Sequence, residues 1–394
     1  MDTGIVKSST RSRESSGNAH LLIVSDSFLP RWDGVSRFLV EMAPAVSKAF
    51  RTTLLAPHFR GKEPHINGIE INLVPTLGMS VGDYQPPKPS RPLIRRLIDA
   101  NDIIWVHTQG PLGNYAINYA RKRDKRIVTF VHSVEWELFS KSLPRNPLFQ
   151  FGIATIAKRY IARNYNRCDL LIVPGEETER HLESIGVRTR KEVVYLGTNV
   201  KTFRPPRNKA QAKERIGIDS SKLVIGYVGR IGREKDLPTL HTAFTRLKEQ
   251  YPDMILMIIG AGNQREEERL IGEDIMHLGR MDNVAPYLRG MDIYVLPSLT
   301  ETSSLSTMEA MASGLGVITT PVGHIPEYIT HEENGLFFEP GDVDALMARL
   351  RRLIGDARFR RKLGRNARKT IVSRYQFKHT EKQIIDILHE EVRS

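Results

Sequence analysis

Two glutamates eight residues apart are the side chains in this sequence best suited to bind a polyhydroxylated molecule. Glu301 lies in the polar run 300–304, and Glu309 lies inside the helical pattern that follows. Ser304 or Ser306 is a natural N-cap for that helix, whose free backbone N–H groups and positive dipole end suit a phosphate. A phosphate flanked by two carboxylates matches the layout of a sugar nucleotide. On these residues alone, a solvated loop charge and a first-turn helix acid are an equal alternative.

A second segment, upstream of the first, adds two cations. Residues 223–228 are an apolar run of strand length, and Gly229 and Arg230 stand where that run ends. Arg230 and Lys235 are five residues apart across the Gly232 turn, so both can approach one anion. Ligands of an open α/β sheet bind at the carboxyl ends of its strands, and both segments therefore point to one crevice. Two cations facing a helix start predict a diphosphate pocket.

The elements that position these residues follow a repeating rhythm of strands and helices. Strands are expected at 21–24, 52–56, 69–74, 103–107, 127–131, 170–173, 193–196, 223–228, 254–259, 293–296, 317–320 and 336–338. Helical patterns such as 36–50 and 238–250 lie between them, which predicts parallel sheets covered on both faces. The segment 198–209 contains two adjacent prolines and is predicted to link a domain at 20–197 to a domain at 210–377.

Length and composition agree with this organisation. At 394 residues the chain is long enough for about two domains, and 40% hydrophobic with 26% charged residues indicate an ordinary soluble globular protein. No apolar run approaches the ~18 residues that span a bilayer. Residues 1–19 are expected to form a disordered tail without a signal-peptide core, so we expect a cytoplasmic protein. The single cysteine, Cys168, excludes an intrachain disulfide and is predicted to be a packed core thiol.

The net charge of +13 indicates an anionic partner. Basic blocks occur at 91–96, 158–167, 188–191 and 360–369. We do not expect them to present interleaved exposed aromatic residues, and none has a known reading motif, which argues against nucleic acid. The segments 91–98 and 148–165 instead mix cationic and apolar residues, a pattern typical of helices that lie on an anionic membrane surface. Helices whose apolar residues face the core are an equal alternative. Peripheral binding to the inner face of the membrane is thus one of two open interpretations.

Four segments of the second half, GYVGRIGREKD, MDIYVLPS, ETSSLSTMEAMASG and PVGHIPEYITHEENGLFFEPGD, resemble the donor half of the retaining glycosyltransferases of family 4. FLPRWDGVSRFLVEMA resembles the acceptor-side glycine loop of the same family, so the resemblance covers essentially the whole chain after residue 20. It implies the GT-B fold, an α/β architecture in which two Rossmann-like, doubly wound parallel-sheet domains face a central cleft. It also implies a final helix, 378–394, that crosses back onto the first domain.

The resemblance further implies an activity. An enzyme of this kind moves a hexose, with retention of configuration, from a UDP- or GDP-linked donor to an acceptor hydroxyl. FLPRWDGVSRFL is similar to the branch that glycosylates membrane lipids, so we expect a lipid or lipid-linked glycan as acceptor. Three alternatives stay open: a soluble sugar or inositol acceptor, a sugar-nucleotide epimerase, and a non-catalytic nucleotide-sugar binding protein.

Matching family positions imply roles for residues of this chain. Arg230 and Lys235 would stabilise the diphosphate, while Glu301 would bind hydroxyls of the transferred sugar. Glu309 would bind the ribose hydroxyls. Further donor contacts are expected from Gly34, Gly229, Met281, Ser303, Ser304, Leu305 and Ser306, and acceptor-side contacts from Asp33 and Glu135.

Two histidines at strand ends are further candidates, and the resemblance implies that His132 belongs to the catalytic residues with Arg230, Lys235 and Glu301. His132 matches the family histidine that contacts the transferred sugar, and His107 ends the preceding predicted strand. Without the family, a structural hydrogen bond is the favoured interpretation of such a histidine. The glycines of 260–262 lack the third glycine of a dinucleotide fingerprint and are predicted to form a strand-end turn near the donor.

Several positions depart from the family pattern. Ser303 and Ser304 stand where many members carry Phe-Gly, and this leaves the identity of the donor sugar open. His324 stands where a second glycine is common, and it would add a phosphate contact or fill space. No metal and no other cofactor are expected, because Asp342 and Asp344 have the pattern of a helix start rather than a metal motif.

Overall fold

The computed structural model of this chain describes residues 19–31, 33–78, 85–132, 147–262 and 264–394, and for 147–155 and 265 it describes the backbone alone. The expected tail, apart from Ala19, lies outside these ranges. The predicted acceptor-side residue Glu135 also lies outside them.

The N-terminal domain is built on a parallel sheet. Its strands are β1 (His20–Val24), β2 (Arg51–Pro57), β3 (Ile69–Val74), β4 (Ile103–Val106), β5 (Arg126–Phe130), β6 (Leu170–Val173) and β7 (Lys191–Val193). Within the described residues they are ordered β3-β2-β1-β4-β5-β6-β7. The order reverses between β1 and β4, where Leu21 pairs with Ile103. A crevice for a ligand therefore opens at the carboxyl ends of these two strands.

Helices cover both faces of this sheet. They are α1 (Gly34–Ala49), α2 (Arg91–Ala100), α3 (Pro111–Lys122), α4 (Pro147–Tyr165) and α5 (Glu176–Ser184). Leu22 of β1 packs in one core cluster with Ile94 of α2, whereas Leu21 packs in another with Phe38 of α1. Successive strand residues point to opposite faces, so this alternation marks a doubly wound sheet. It also explains why the strands are continuous apolar runs.

The C-terminal domain repeats the plan. Its strands are β8 (Leu223–Val228), β9 (Met254–Ile259), β10 (Ile275–His277), β11 (Ile293–Leu296), β12 (Gly316–Thr319) and β13 (Leu336–Phe337). In the described part of the chain their order is β10-β9-β8-β11-β12-β13, with parallel pairing. Its helices and the last helix of the chain are α6 (Lys209–Glu214), α7 (Leu237–Lys248), α8 (Gln264–Glu267), α9 (Ala285–Gly290), α10 (Leu305–Ala312), α11 (Ile325–Tyr328), α12 (Val343–Gly355), α13 (Ala357–Arg374) and α14 (Phe377–Arg393).

The chain passes between the domains at two adjacent points. Two backbone hydrogen bonds join these points: Thr198 N–H donates to the Tyr375 carbonyl at 2.9 Å, and Phe377 N–H donates to the Thr198 carbonyl at 3.0 Å. Beyond this point α14 packs on α1, and its Ile384 and Leu388 join the core cluster of the N-terminal domain. The last helix therefore binds the two domains together.

Two strands differ from the sequence prediction by more than one residue at an end. The strand expected at 193–196 lies at Lys191–Val193, because this edge strand pairs through Lys191, Glu192 and Val193 with β6. The short strand β10 was not predicted, since none of its residues is fully buried and the run is three residues long.

The segments 91–98 and 148–165, for which a membrane face was one interpretation, differ in how far their apolar residues are buried. In α2, Ile94, Leu97 and Ile98 are buried in the core, so packing explains the amphipathic pattern of 91–98, as the alternative interpretation expected. In α4, Ile156 and Tyr160 have 69% and 48% of their surfaces exposed. No helix among the described residues is long and apolar enough to cross a membrane.

Candidate active site

The two domains face each other across a cavity of about 1520 Å³. Its wall contains residues that directly follow strands: Gly229 follows β8, Gly260 follows β9, and His132 comes two residues after β5. The predicted site residues on this wall are Asp33, Gly34, His132, Gly229, Arg230, Lys235, Met281, Glu301, Ser303, Ser304, Leu305 and Ser306. Their places in the cavity are findings, whereas the role of each stays a prediction.

Lys235 and Glu301 form an ion pair inside the cavity. The Lys235 Nζ lies 2.6 Å from Glu301 Oε1, and the Ser298 hydroxyl donates to the same oxygen at 2.7 Å. Both side chains are largely shielded from solvent, with exposed fractions of 17% and 10%. Low solvent access strengthens the interaction of this pair with any charge that enters the cavity. A phosphate at the ammonium and a hydroxyl at the carboxylate would therefore be neighbours.

Arg230 lies on the same wall and is also paired with an acid. Its guanidinium donates to Glu234 at 2.5 Å. The backbone at Arg230 is held in place by the sheet, since the buried Tyr227 hydroxyl of β8 donates to the Arg230 carbonyl at 2.6 Å. Arg230 and Lys235 thus line the same cavity. The sequence did not indicate that both cations are paired with glutamates.

Glycines allow the loops after β8 and β9 to touch. A Cβ at Gly260, whose φ is +144°, would stand 1.8 Å from the Gly229 carbonyl oxygen. A Cβ at Gly262 would stand 1.8 Å from the Ile231 oxygen. No side chain fits at either position. The turn at 260–262 therefore forms part of the cavity wall, where the sequence placed it.

The start of α10 is held in an unusual conformation. Ser304 has φ +46° and ψ 76°, the left-handed region in which glycine is favoured. Its hydroxyl lies 2.7 Å from the Thr307 hydroxyl, and its side chain makes no capping bond to the backbone. Because Leu305 and Ser306 line the cavity, the first turn of α10 faces it. The conformation explains why a glycine is common at this position in the family that the sequence resembles.

Glu309 lies behind the wall, covered by an arginine of the other domain. The Arg37 guanidinium, itself on the cavity wall, donates to Glu309 Oε1 and also to Glu41 at 3.1 Å. Glu309 is fully buried, and its Oε2 has no hydrogen-bond partner within the described ranges. Burial raises the pKa of Glu309, while the charge of Arg37 opposes this shift. The expected ribose contact of Glu309 therefore requires Arg37 to move.

The two candidate histidines are hydrogen-bonded to each other. His107 Nδ1 lies 2.8 Å from His132 Nε2, because β4 and β5 pair in parallel and both histidines follow their ends. His107 is buried against Trp105 and Phe130, and burial lowers its pKa well below the ordinary value. Burial likewise lowers the pKa of His132 to about 3. His132 therefore faces the cavity in its neutral form, and its hydrogen bond to His107 fixes the orientation of its ring.

Two aspartates organise the loops that follow β1. Asp33 is the N-cap of α1 and accepts from Ser36 N at 2.9 Å, and the open space around Gly34 leaves the helix start accessible from the cavity. Asp26 accepts from the backbone N–H groups of Leu112 and Gly113 at 2.7 and 3.2 Å. It therefore occupies the start of α3, which is not open to a phosphate.

His324 is a spacer between the domains. Its ring stacks on Tyr195 at 5.0 Å with an interplanar angle of 5°, and a Cβ at Gly175 would stand 2.8 Å from its Cδ2. Its Nε2 lies 3.0 Å from Glu327 Oε2. Since His324 does not line the cavity, the suggested phosphate contact is wrong and the space-filling alternative is correct.

The remaining expectations concern Asp342 and Cys168. Asp342 caps α12 by accepting from Ala345 N at 2.8 Å, as a helix start requires. Cys168 is buried, burial raises the pKa of its thiol to about 12, and its Sγ lies 3.3 Å from the Thr129 hydroxyl. No group of three or more histidine, cysteine, aspartate or glutamate side chains within the described ranges could hold a metal ion.

Sequence reasoning missed Arg37. It lies three residues after Gly34 on α1, so both share one face of the helix at its start. That spacing is a signal, because a glycine that faces a cavity implies that the residue one turn later faces it too. Its acidic partner could not be inferred, since Glu309 is 272 residues away.

Two family models match the chain, one on each domain. Residues 32–202 match the glycosyltransferase family 4 model, and residues 208–370 match the model of glycosyl transferases group 1. The chain therefore belongs to the glycosyltransferases, with a family 4 domain followed by a group 1 domain. The two parallel-sheet domains are the GT-B fold that the sequence predicted.

Relatives and solved structures agree with this assignment. The chain is 24% identical over 398 residues to a GDP-mannose-dependent alpha-(1-6)-phosphatidylinositol monomannoside mannosyltransferase of Mycolicibacterium smegmatis, covering 93% of this chain and 98% of the relative. It is 25% identical over 302 residues to an N-acetyl-alpha-D-glucosaminyl L-malate synthase of Bacillus anthracis, covering 74% and 75%. The structure of HepE from Anabaena in complex with UDP-glucose superposes with a TM-score of 0.73 at 16% identity, covering 94% and 100%. The family and its relatives assign the chain glycosyl transfer from a nucleotide-sugar donor.

Proposed function

We propose that this chain is a retaining, metal-independent hexosyltransferase that moves a hexose from a UDP- or GDP-linked sugar to a hydroxyl of a membrane lipid or lipid-linked glycan. The observation that carries the proposal is the Lys235–Glu301 pair beside the first turn of α10, inside a cavity between two domains. The pair offers a cation for a departing phosphate and an acceptor for a sugar hydroxyl within one site.

The chemistry follows from where charge develops. As the glycosidic bond breaks, negative charge builds on the diphosphate, and Lys235, Arg230 and the N–H groups at the start of α10 stabilise it. Once the phosphates compete with the glutamate partners of Lys235 and Arg230, these two cations supply the countercharge that a divalent ion would otherwise supply, which supports activity without a metal. Glu301 holds a hydroxyl of the oxocarbenium-like sugar, and the neutral His132 offers a further hydrogen bond.

Binding of the donor rearranges existing pairs. Glu309 reaches the ribose once Arg37 leaves it, and Lys235 shares its three N–H donors between Glu301 and the phosphate. Gly34 and Gly229 let the backbone approach the diphosphate closely. Met281, on the cavity wall, borders the nucleobase through its backbone.

A lipid acceptor is supported by one relative and one surface. The Mycolicibacterium smegmatis relative is named for a phosphatidylinositol mannoside acceptor. On α4, the exposed residues Ile156, Arg159, Tyr160 and Arg163 repeat at i, i+3, i+4 and i+7, so apolar and cationic side chains share one exposed face. Such a face suits the anionic inner surface of a membrane.

The test is a donor panel with purified protein. UDP- and GDP-linked hexoses are each incubated with lipid extract, with a soluble sugar or inositol, or with no acceptor, and the released nucleoside diphosphate is measured. We expect release with one nucleotide series and lipid extract, unchanged in EDTA, and a product that keeps the donor's anomeric configuration.

Each alternative gives a different result. An epimerase would convert the donor without releasing nucleoside diphosphate, and a binding protein would do neither. Equal rates with a soluble acceptor would refute the lipid part of the proposal alone. Loss of activity in EDTA with rescue by magnesium or manganese would refute metal independence alone.

A further inference from the structure

Three arginines from three loops surround Pro30 at the edge of the cavity. Arg31 is the next residue in the loop after β1. A Cβ at Gly61 would stand 2.9 Å from Pro30 Cγ, so the loop that carries Arg60 touches Pro30. From the other domain, the Arg280 guanidinium donates to the Pro30 carbonyl at 3.2 Å. All three arginines line the cavity, and we call them the Pro30 arginine cluster.

The cluster carries excess positive charge. Arg31 pairs with Asp33 at 3.1 Å, and that carboxylate also caps α1. Arg60 and Arg280 are exposed, and neither has an acidic partner within the described ranges. The donor wall differs, because Arg230 and Lys235 are each paired with a glutamate. Among the residues that the structure describes, the unpaired positive charge of the cavity is therefore concentrated around Pro30.

We propose that the Pro30 arginine cluster binds a phosphoryl group carried by the acceptor, which deepens and rests on the proposed glycosyltransferase function. Two of its members belong to loops of the N-terminal domain, while the donor phosphates have their own cations on the C-terminal domain. Guanidinium groups bind phosphate through paired N–H donors, and a cleft concentrates their field. The substrate class is an alcohol that bears a phosphate monoester or diester.

The position of Arg280 adds a structural consequence. Its bond to Pro30 crosses from the C-terminal to the N-terminal domain. An anion held by Arg60 and Arg280 together would draw the two domains toward each other. Acceptor binding would then favour the arrangement in which donor and acceptor meet.

Two sources share this chemistry, a phospholipid headgroup and a soluble phosphate ester. In the experiment, the full chain is saturated with UDP or GDP so that the donor phosphate site is filled. It is then titrated with sn-glycerol 3-phosphate, and separately with vesicles of phosphatidylcholine with and without phosphatidylinositol. Arg60→Gln and Arg280→Gln are compared with Lys62→Gln, a matched control, because Lys62 is exposed on the same loop but does not line the cavity.

Each arginine makes charge-assisted hydrogen bonds, so we expect Arg60→Gln and Arg280→Gln each to bind the phosphate probe about tenfold or more weakly. Lys62→Gln should bind like the wild type. If the wild-type protein binds glycerol phosphate, the phosphoryl group comes from a soluble ester. If it binds only the vesicles that contain phosphatidylinositol, the group comes from a lipid. The proposal is overturned if both arginine variants bind the phosphate probe as tightly as the wild type does. It is also overturned if the variants lose affinity for the nucleotide and keep their affinity for the phosphate probe. No turnover is required, so a failure of the proposed function is read separately in the donor panel.

Discussion

Arg37 of α1 and Glu309 of α10 form an ion pair that joins the two domains beside the cavity. The carboxylate is fully buried, and the guanidinium lies between it and the cavity. A buried acid whose cation comes from another domain depends on how the domains are arranged. This pair therefore links the state of the donor site to the relative position of the domains.

Arg37→Gln should destabilise the nucleotide-free protein by about 1–3 kcal/mol, because it leaves Glu309 buried without its charged partner. The same variant should bind UDP or GDP at least as tightly as the wild type, since Arg37 no longer competes for Glu309. Urea unfolding and nucleotide titration measure the two effects.

Glu41→Gln is the matched control, because it removes the second acid that Arg37 contacts and leaves Glu309 paired. Glu309→Gln should bind nucleotide about tenfold more weakly. Equal losses of nucleotide affinity in Arg37→Gln and Glu309→Gln would mean that Arg37 itself binds the nucleotide. That result would contradict the idea that Arg37 competes with the nucleotide for Glu309.

Ser304→Gly should raise the free energy of unfolding by about 1 kcal/mol, because glycine adopts the left-handed conformation without the clash of a Cβ. Ser306→Gly places a glycine inside the same helix, where it costs about 0.5–1 kcal/mol. Thermal unfolding of both variants gives the comparison. A destabilised Ser304→Gly protein would show that the hydroxyl contact with Thr307 outweighs the backbone strain.

The hydrogen-bonded histidines His107 and His132 should make the protein sensitive to acid. An unfolded chain protonates histidine near pH 6.5, whereas burial lowers the pKa of His132 to about 3. Below pH 6.5 the unfolded state therefore binds more protons than the folded state. The free energy of unfolding should fall by up to about 1.4 kcal/mol per pH unit for this histidine, from pH 6.5 down toward pH 3.

Urea unfolding at pH 7 and pH 5 measures this loss. His132→Asn should lose less stability than the wild type over the same interval, and His65→Asn, at an exposed position, should behave like the wild type. An unchanged pH dependence in His132→Asn would show that the His132 ring does not stay neutral in the folded protein over this interval.

Exposed apolar residues on α4 should anchor the protein to anionic membranes. Replacing Ile156 and Tyr160 with serine should lower cosedimentation with anionic vesicles several-fold, since each loses buried apolar area at the interface. The control is Ile271→Ser, which changes a residue with 77% of its surface exposed on the other domain. Binding should also weaken as salt is raised. Equal losses in both variants would remove α4 as the membrane-facing surface.

The sequence predicted the architecture because apolar runs and glycine turns are local signals. The strands 69–74, 170–173, 223–228, 254–259 and 293–296 have the predicted bounds. The cavity was also predictable, because residues at the carboxyl ends of parallel strands must converge. Gly229 and Glu301 lie on its wall for this reason.

Pairing within the cavity was not predictable. The partners Arg37 and Glu309 come from different domains, and their contact depends on the docking of two separately folded cores. The amphipathic pattern of α2 was ambiguous for a similar reason. An apolar stripe has the same sequence pattern whether it faces the core or a membrane. In the structure, Ile94 packs in the core of the N-terminal domain.

The most direct test of glycosyl transfer at this site is single-turnover release of nucleoside diphosphate by Lys235→Ala and Glu301→Gln, with Arg233→Ala as the control. Arg233 belongs to the same turn as Lys235 but does not line the cavity. We predict that the rate falls by about 10²–10³ in Lys235→Ala and markedly in Glu301→Gln, while Arg233→Ala keeps the wild-type rate. Wild-type rates from a folded Lys235→Ala protein would contradict the assignment of this cavity as the site of transfer.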